Sequence, residues 1–241
     1  MLEGIRFLPE KELFDALKSD RHIKDYLKKN EHSIFTSSTH VYVDNLRQSF
    51  ELTNKSSPYI SNLLNQCIHS IGSEHFKKYD VRLFLNSDQT LNAACSKYKN
   101  SIVISLNAGC IKSLSDDELK FVIGHELGHA IFDHHDLPAY GICNNRGISP
   151  SKTIKLMDWS RRAEISADRV GLLCTKDKFS AKSALVKLST GGIFDPFIQI
   201  DEESFLQQLE LSKEIDPNDC DLSYSTHPLS PLRVSAISLF S

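Results

Sequence analysis

The stretch "SDDELKFVIGHELGHAIFDHH", residues 115–135, carries four histidines within eleven positions: His125, His129, His134 and His135. Ser115 followed three residues later by Glu118 fits a capping box, in which each side chain satisfies an orphan amide of the first turn. Asp116 and Asp117 suit the positive end of the helix dipole, so a helix over 115–134 is expected. From Leu119 to Phe132 the strongly polar residues are Lys120, Glu126, His125 and His129. At about 100° per residue, apolar groups then face nearly every direction, and such a helix belongs in a core. Imidazoles and a carboxylate are costly there unless they are paired, hydrogen-bonded or bound to metal.

His125 and His129 lie four residues apart, about 40° from each other around the axis, so both imidazoles can address one ion. Glu126 stands beside that face. "HELGH" is the H-E-x-x-H arrangement that supplies two ligands and a general base to zinc metalloproteases. The bland alternative, histidines hydrogen-bonded within a core, is outweighed by the capped and buried setting. A catalytic zinc takes three protein ligands and keeps one position for water, so a third ligand is needed. His135 lies where metzincins have their third histidine, but that pattern needs glycine at 132 and this chain has Phe132. His134 and His135 are therefore expected to be exposed polar residues at the helix end, helped by Pro138 and Gly141.

"SRRAEISADRVGLLC", residues 160–174, sets Glu164 and Asp168 four apart on one side of a second helix. Glu164 can be the third ligand, and Asp168 can accept the N–H of a ligating imidazole, fixing its tautomer. The alternative for these carboxylates is a solvated face paired with Arg161, Arg162 and Arg169. Gly124 and Gly128, also four apart, offer a narrow groove for a closely approaching helix.

Outward from this centre, "VRLFLN" (81–86) and "SIVISLN" (101–107) read as strands, with one more strand and a turn between them. Helices are expected at about 156–175, 180–188, 202–214 and 231–240, and one beginning near Pro58. Strands followed by helices give an α+β fold, mostly helical, with a small sheet. Residues 10–29 read as one bent or two short amphipathic helices. "TNKSSP" (53–58) has loop composition, dividing a helical extension, 1–55, from a main domain, 56–241.

The 241 residues are 40% apolar and 24% charged, enough for a sizeable core, and the net charge of −3 without a basic strip argues against a nucleic-acid partner. No leader or long apolar run is visible, and six cysteines without a C-x-x-C pair read as free thiols in a reducing compartment, so a soluble, cytoplasmic protein is expected.

"LSDDELKFVIGHELGHAI" followed by "RRAEISADRVGL" resembles the HtpX and CAAX-prenyl-protease-like family of gluzincin metalloendopeptidases, whose pattern is H-E-x-x-H and then E-x-x-x-D. "LNAACSKYKNSIVISLNAG" (91–109) is similar to that family's edge strand and hairpin, and "STHPLSPLR" (225–233) to its late histidine-proline segment. The resemblance implies a zincin-like domain and one zinc ion held by His125, His129 and Glu164. It further implies Glu126 as general base, with Asp168 behind a ligand histidine. His227 would face the cleft with Arg233 supporting it, and the edge strand at Asn92, Ala93, Ala94 and Cys95 would hold a polypeptide substrate. The expected function is thus a zinc metalloendopeptidase. A latent form, or a zinc-bound binding or chaperone-like protein without turnover, is the alternative.

Overall fold

The structure, a computed structural model, describes residues 2–145, 147–192, 202–213 and 230–240. It is mostly helical. The elements run α1 (Leu2–Ile5), α2 (Leu8–Ser19), α3 (Arg21–Gln48), β1 (Phe50–Glu51), α4 (Pro58–Ile71), β2 (Asp80–Asn86), β3 (Ala93–Tyr98), β4 (Ser101–Asn107), α5 (Ala108–Ser113), α6 (Asp116–Ile131), α7 (Ala139–Cys143), α8 (Pro150–Thr175), α9 (Lys178–Thr190), α10 (Glu202–Lys213) and α11 (Ser230–Leu239).

The four strands form one sheet in the order β1-β2-β4-β3, with β2 parallel to β4 and both outer strands antiparallel to their neighbours. β4 is central. Its β-branched run is covered on both faces, and Ile102, Val103, Ile104 and Leu106 are all buried. β3 is an edge strand, pairing Cys95 with Ile104, and it borders α6. Two clusters of buried apolar side chains make up the core. One joins α4, the sheet, α6, α9, α11 and the last turns of α8; the other packs Phe14, Leu17 and Ile23 against Leu137, Ile142, Leu156 and Trp159. α8 contributes to both, so it fastens the N-terminal helices to the rest.

The expected capping box is present: Glu118 Oε2 accepts from the Ser115 amide at 2.7 Å, and Ser115 Oγ from the Glu118 amide at 3.4 Å. The expected helix groove is also present. A Cβ on Gly124 would lie 2.6 Å from Cys174 Sγ, one on Gly128 3.0 Å from Ala167 Cα, and one on Gly171 2.7 Å from the Phe121 carbonyl oxygen. α6 and α8 therefore meet nearly backbone to backbone.

Three expectations change. Asp20 separates the N-terminal helices by accepting from the His22 and Ile23 amides, and α3 then continues to Gln48, well past residue 29. Its second half has little apolar periodicity and is held by tertiary contacts: Ser105 Oγ donates to Asn45 Oδ1 at 2.7 Å, and Tyr42 stacks on Tyr98. β1 follows in a stretch that carried no strand signal. α8 begins at Pro150 rather than near 156, because Pro150 occupies the first turn, where its missing N–H is harmless. Among the described residues no helix is long and apolar enough to cross a membrane. Cys67, Cys95, Cys110, Cys143 and Cys174 are free thiols, and Cys220 lies outside the described residues.

Gly171→Ala is expected to lower unfolding stability by about 1–3 kcal/mol, since a backbone carbonyl cannot yield to the new methyl. Gly4→Ala, with nothing within 4 Å of the added atom, serves as control and should change it by no more than about 0.5 kcal/mol. Urea unfolding midpoints measure both.

Candidate metal centre

α6 presents His125, Glu126 and His129, and the glycine-lined contact brings α8 close enough for Glu164 to face them. One ligand atom from each of His125, His129 and Glu164 lies within 4.8 Å of the others. The two Nε2 atoms are 3.1 Å apart. Glu164 Oε2 lies 3.6 Å from the first and Oε1 lies 3.5 Å from the second.

The outer ring nitrogens decide what these atoms can bind. Asp168 is buried on α8 and only accepts, so the Nδ1–H of His125 donates to its Oδ1 at 2.9 Å. A neutral His125 then turns its Nε2 lone pair toward His129 and Glu164. His129 Nδ1 is likewise occupied, 2.9 Å from His134 Nδ1. Two imidazole nitrogens and a carboxylate thus converge, an arrangement that repels itself unless a cation or proton lies between them. The nitrogen and oxygen donor set fits zinc better than magnesium or calcium.

Electrostatics follow the same division. Burial drives His129 well below the ordinary histidine pKa. Burial pulls His125 down too, but the Asp168 carboxylate outweighs it and the net shift is upward. Asp168 is held below the usual carboxylate range: burial opposes this, and Arg233 with His125 overcomes it. Arg233, on α11, donates through Nη2 to Asp168 Oδ1 at 2.6 Å and through Nε to Oδ2 at 2.8 Å, and its Nη1 lies 3.2 Å from Glu164 Oε2. Glu126 is pushed up to about 7, chiefly by burial, and it accepts from the Cys95 amide.

A cavity of about 340 Å³ opens onto this group, lined by Asn92, Ala93, His125, Glu126, His129, Glu164 and Arg233 among others. Ala94 is exposed on the other side of β3 and does not line it. Cys95 contacts the centre through its backbone. His227 lies outside the described residues, as does any support it receives from Arg233.

The expected exposure of His134 and His135 is corrected. α6 stops at Ile131, and Asp133 takes a left-handed conformation with φ 56°, a region Asp tolerates. Lys97 of β3 bonds the Ala130 carbonyl at 2.9 Å and also pairs with Asp133. The chain therefore folds back. His134 is buried against His129, and His135 Nε2 donates to the Cys95 carbonyl at 2.8 Å. Position along an ideal helix could not reveal this; the one signal was an aspartate at the turning point.

A family model described as "Peptidase family M48" matches residues 54–149 and 141–240. The chain is also 28% identical over 155 residues to the plastoglobule-localized metallopeptidase 48, chloroplastic, of Arabidopsis thaliana, covering 56% of this chain and 44% of that protein. The chain thus spans less than half the length of this relative.

Arg233→Met should leave Asp168 charged and buried without its counter-ion, lowering unfolding stability by about 3–5 kcal/mol. Denaturant titration at neutral pH measures this.

Proposed function

The chain belongs to peptidase family M48, and from that premise we propose that it is a zinc-dependent endopeptidase of zincin-like fold with Glu126 as general base. The observation that carries the proposal is the convergence of His125 Nε2, His129 Nε2 and the Glu164 carboxylate on one point, with Glu126 lining the same cavity. A zinc ion bound there would lower the pKa of a water and polarise the scissile carbonyl.

The chain's own groups supply the rest. Asp168 accepts the Nδ1–H of His125 and keeps that ring in the tautomer that ligates through Nε2. Arg233 neutralises Asp168 and, within 3.2 Å of Glu164, orients the third ligand. Glu126, which lines the same cavity, takes a proton from the attacking water and returns it to the leaving amine. The substrate is a polypeptide lying extended along β3, whose first residue, Ala93, borders the cavity together with the preceding Asn92. The reading of residues 1–55 as an extension to a peptidase domain of 56–241 belongs to this proposal, supported by a family match that starts at 54. A cytoplasmic site of action does too, supported by the five free thiols among the described residues; the relative's printed name assigns that protein to plastoglobules of the chloroplast. A zinc-bound binding or chaperone-like protein without turnover is not favoured, since such a site has no use for Glu126.

Glu126→Gln is expected to retain zinc while peptide cleavage falls by about 10²–10⁴-fold. Undiminished cleavage of a peptide library would remove Glu126 from its role. Glu164→Ala is expected to lose zinc on dilution to micromolar protein, as read by elemental analysis after gel filtration; full zinc content would strike it from the ligands.

A further inference from the structure

Glu10 and His134 take no part in the reaction just described, yet both are buried, Glu10 completely at 0% exposure. A carboxylate in that position needs compensation. It receives Arg6 Nε at 2.7 Å and Nη2 at 2.9 Å, the Trp159 indole N–H at 2.9 Å and the Ser166 hydroxyl at 3.0 Å. His134 Nε2 lies 3.5 Å from Glu10 Oε1 and is a buried nitrogen without a hydrogen-bond partner among the described residues. On its other side, His134 Nδ1 meets His129 Nδ1 at 2.9 Å.

One proton arrangement turns each hydrogen of the chain toward an acceptor. With the Nε2 lone pair of His129 turned to the metal, its Nδ1 carries the hydrogen and donates to His134 Nδ1. His134 then bears its proton on Nε2, the nitrogen left without a hydrogen bond 3.5 Å from a carboxylate that can only accept. The opposite arrangement would face Glu10 with a bare lone pair.

We propose that Glu10 and His134 are positioning residues for the metal centre, linked as Arg6–Glu10–His134–His129, so that helix α2 of the N-terminal segment forms part of the site. The proposal rests on His129 being a metal ligand, as read above. His125 has the matching device in Asp168 and Arg233. On the His129 side a second imidazole is inserted between ligand and carboxylate. Glu10 precedes the residues matched by the family model, which begin at 54, so this half of the support comes from outside the matched region.

Glu10 also ties α2 to α8 through Trp159 and Ser166, and a purely structural role predicts a different outcome. The test uses the full chain with zinc alone as probe, its affinity read by competition with a chelator, and the unfolding midpoint of the metal-free chain followed in parallel. Glu10→Gln is expected to weaken zinc binding by about 10–100-fold. In a His134→Phe background the same change should add less than about twofold, because its route to the metal is gone. An equal loss in both backgrounds, or no loss in either, would overturn the relay.

A measurement without substitution covers variants that fail to fold. Long-range proton–nitrogen spectra of the zinc-loaded wild type should show His129 as the Nδ1–H tautomer and His134 as Nε2–H; His134 protonated on Nδ1 would overturn the proposal. Zinc uptake that His129→Ala leaves unchanged would refute the ligand reading and this proposal with it. Tight, His129-dependent uptake that is indifferent to Glu10 would refute the relay alone.

Discussion

The separation of α6 and α8 is the distance on which the candidate metal centre depends. Two of the candidate ligands, His125 and His129, come from one helix and the third, Glu164, from the other, and a carboxylate on a glutamate stem has short reach. Gly124 and Gly128 on α6 and Gly171 on α8 remove the side chains that would hold the helices apart, and added methyl groups would meet neighbouring atoms at 2.6–3.0 Å. The approach has no slack. A side chain added at any of the three positions would push the helices apart and draw Glu164 away from the histidines.

Such close packing buries Asp168 and Glu164, which are 1% and 8% exposed. Charges so deeply buried persist when they are paired and fully hydrogen-bonded. α11 returns to the site with Arg233, which contacts both carboxylates. Arg6 does the same for Glu10 beside Trp159. The two arginines approach from opposite ends of the chain, Arg233 neutralising the acid beside His125 and Arg6 the acid beside His134.

Much of this could be read along single helices. The capping box at Ser115 and Glu118, the paired imidazoles at i and i+4, and Glu164 with Asp168 on one face are periodicities of about 3.6 residues. Local propensity records such patterns. The strands at 81–86 and 101–107 were legible for the same reason, through β-branched runs bounded by turn residues. What escaped depended on contacts distant in sequence. The second half of α3 has no strong amphipathic pattern and owes its place to Asn45, Tyr42 and the sheet. Glu10 stands among other charges in "PEKELF", and nothing in that stretch marks the one carboxylate that is fully buried.

His134 shows where the boundary falls. Extending α6 as an ideal helix turned this residue away from the ligands, and the histidine count of 115–135 gave no reason to bring it back. The sequence by itself determined the helix, its burial, the two histidines able to share an ion, and the acid pair that faces them, because these follow from spacing on one helix. Only the tertiary structure decided that α6 ends at Ile131, that Asp133 and Lys97 turn the chain, and that His134 lies between His129 and Glu10. Those outcomes depend on side chains from α2, β3 and α8 meeting at one point, which no local periodicity encodes.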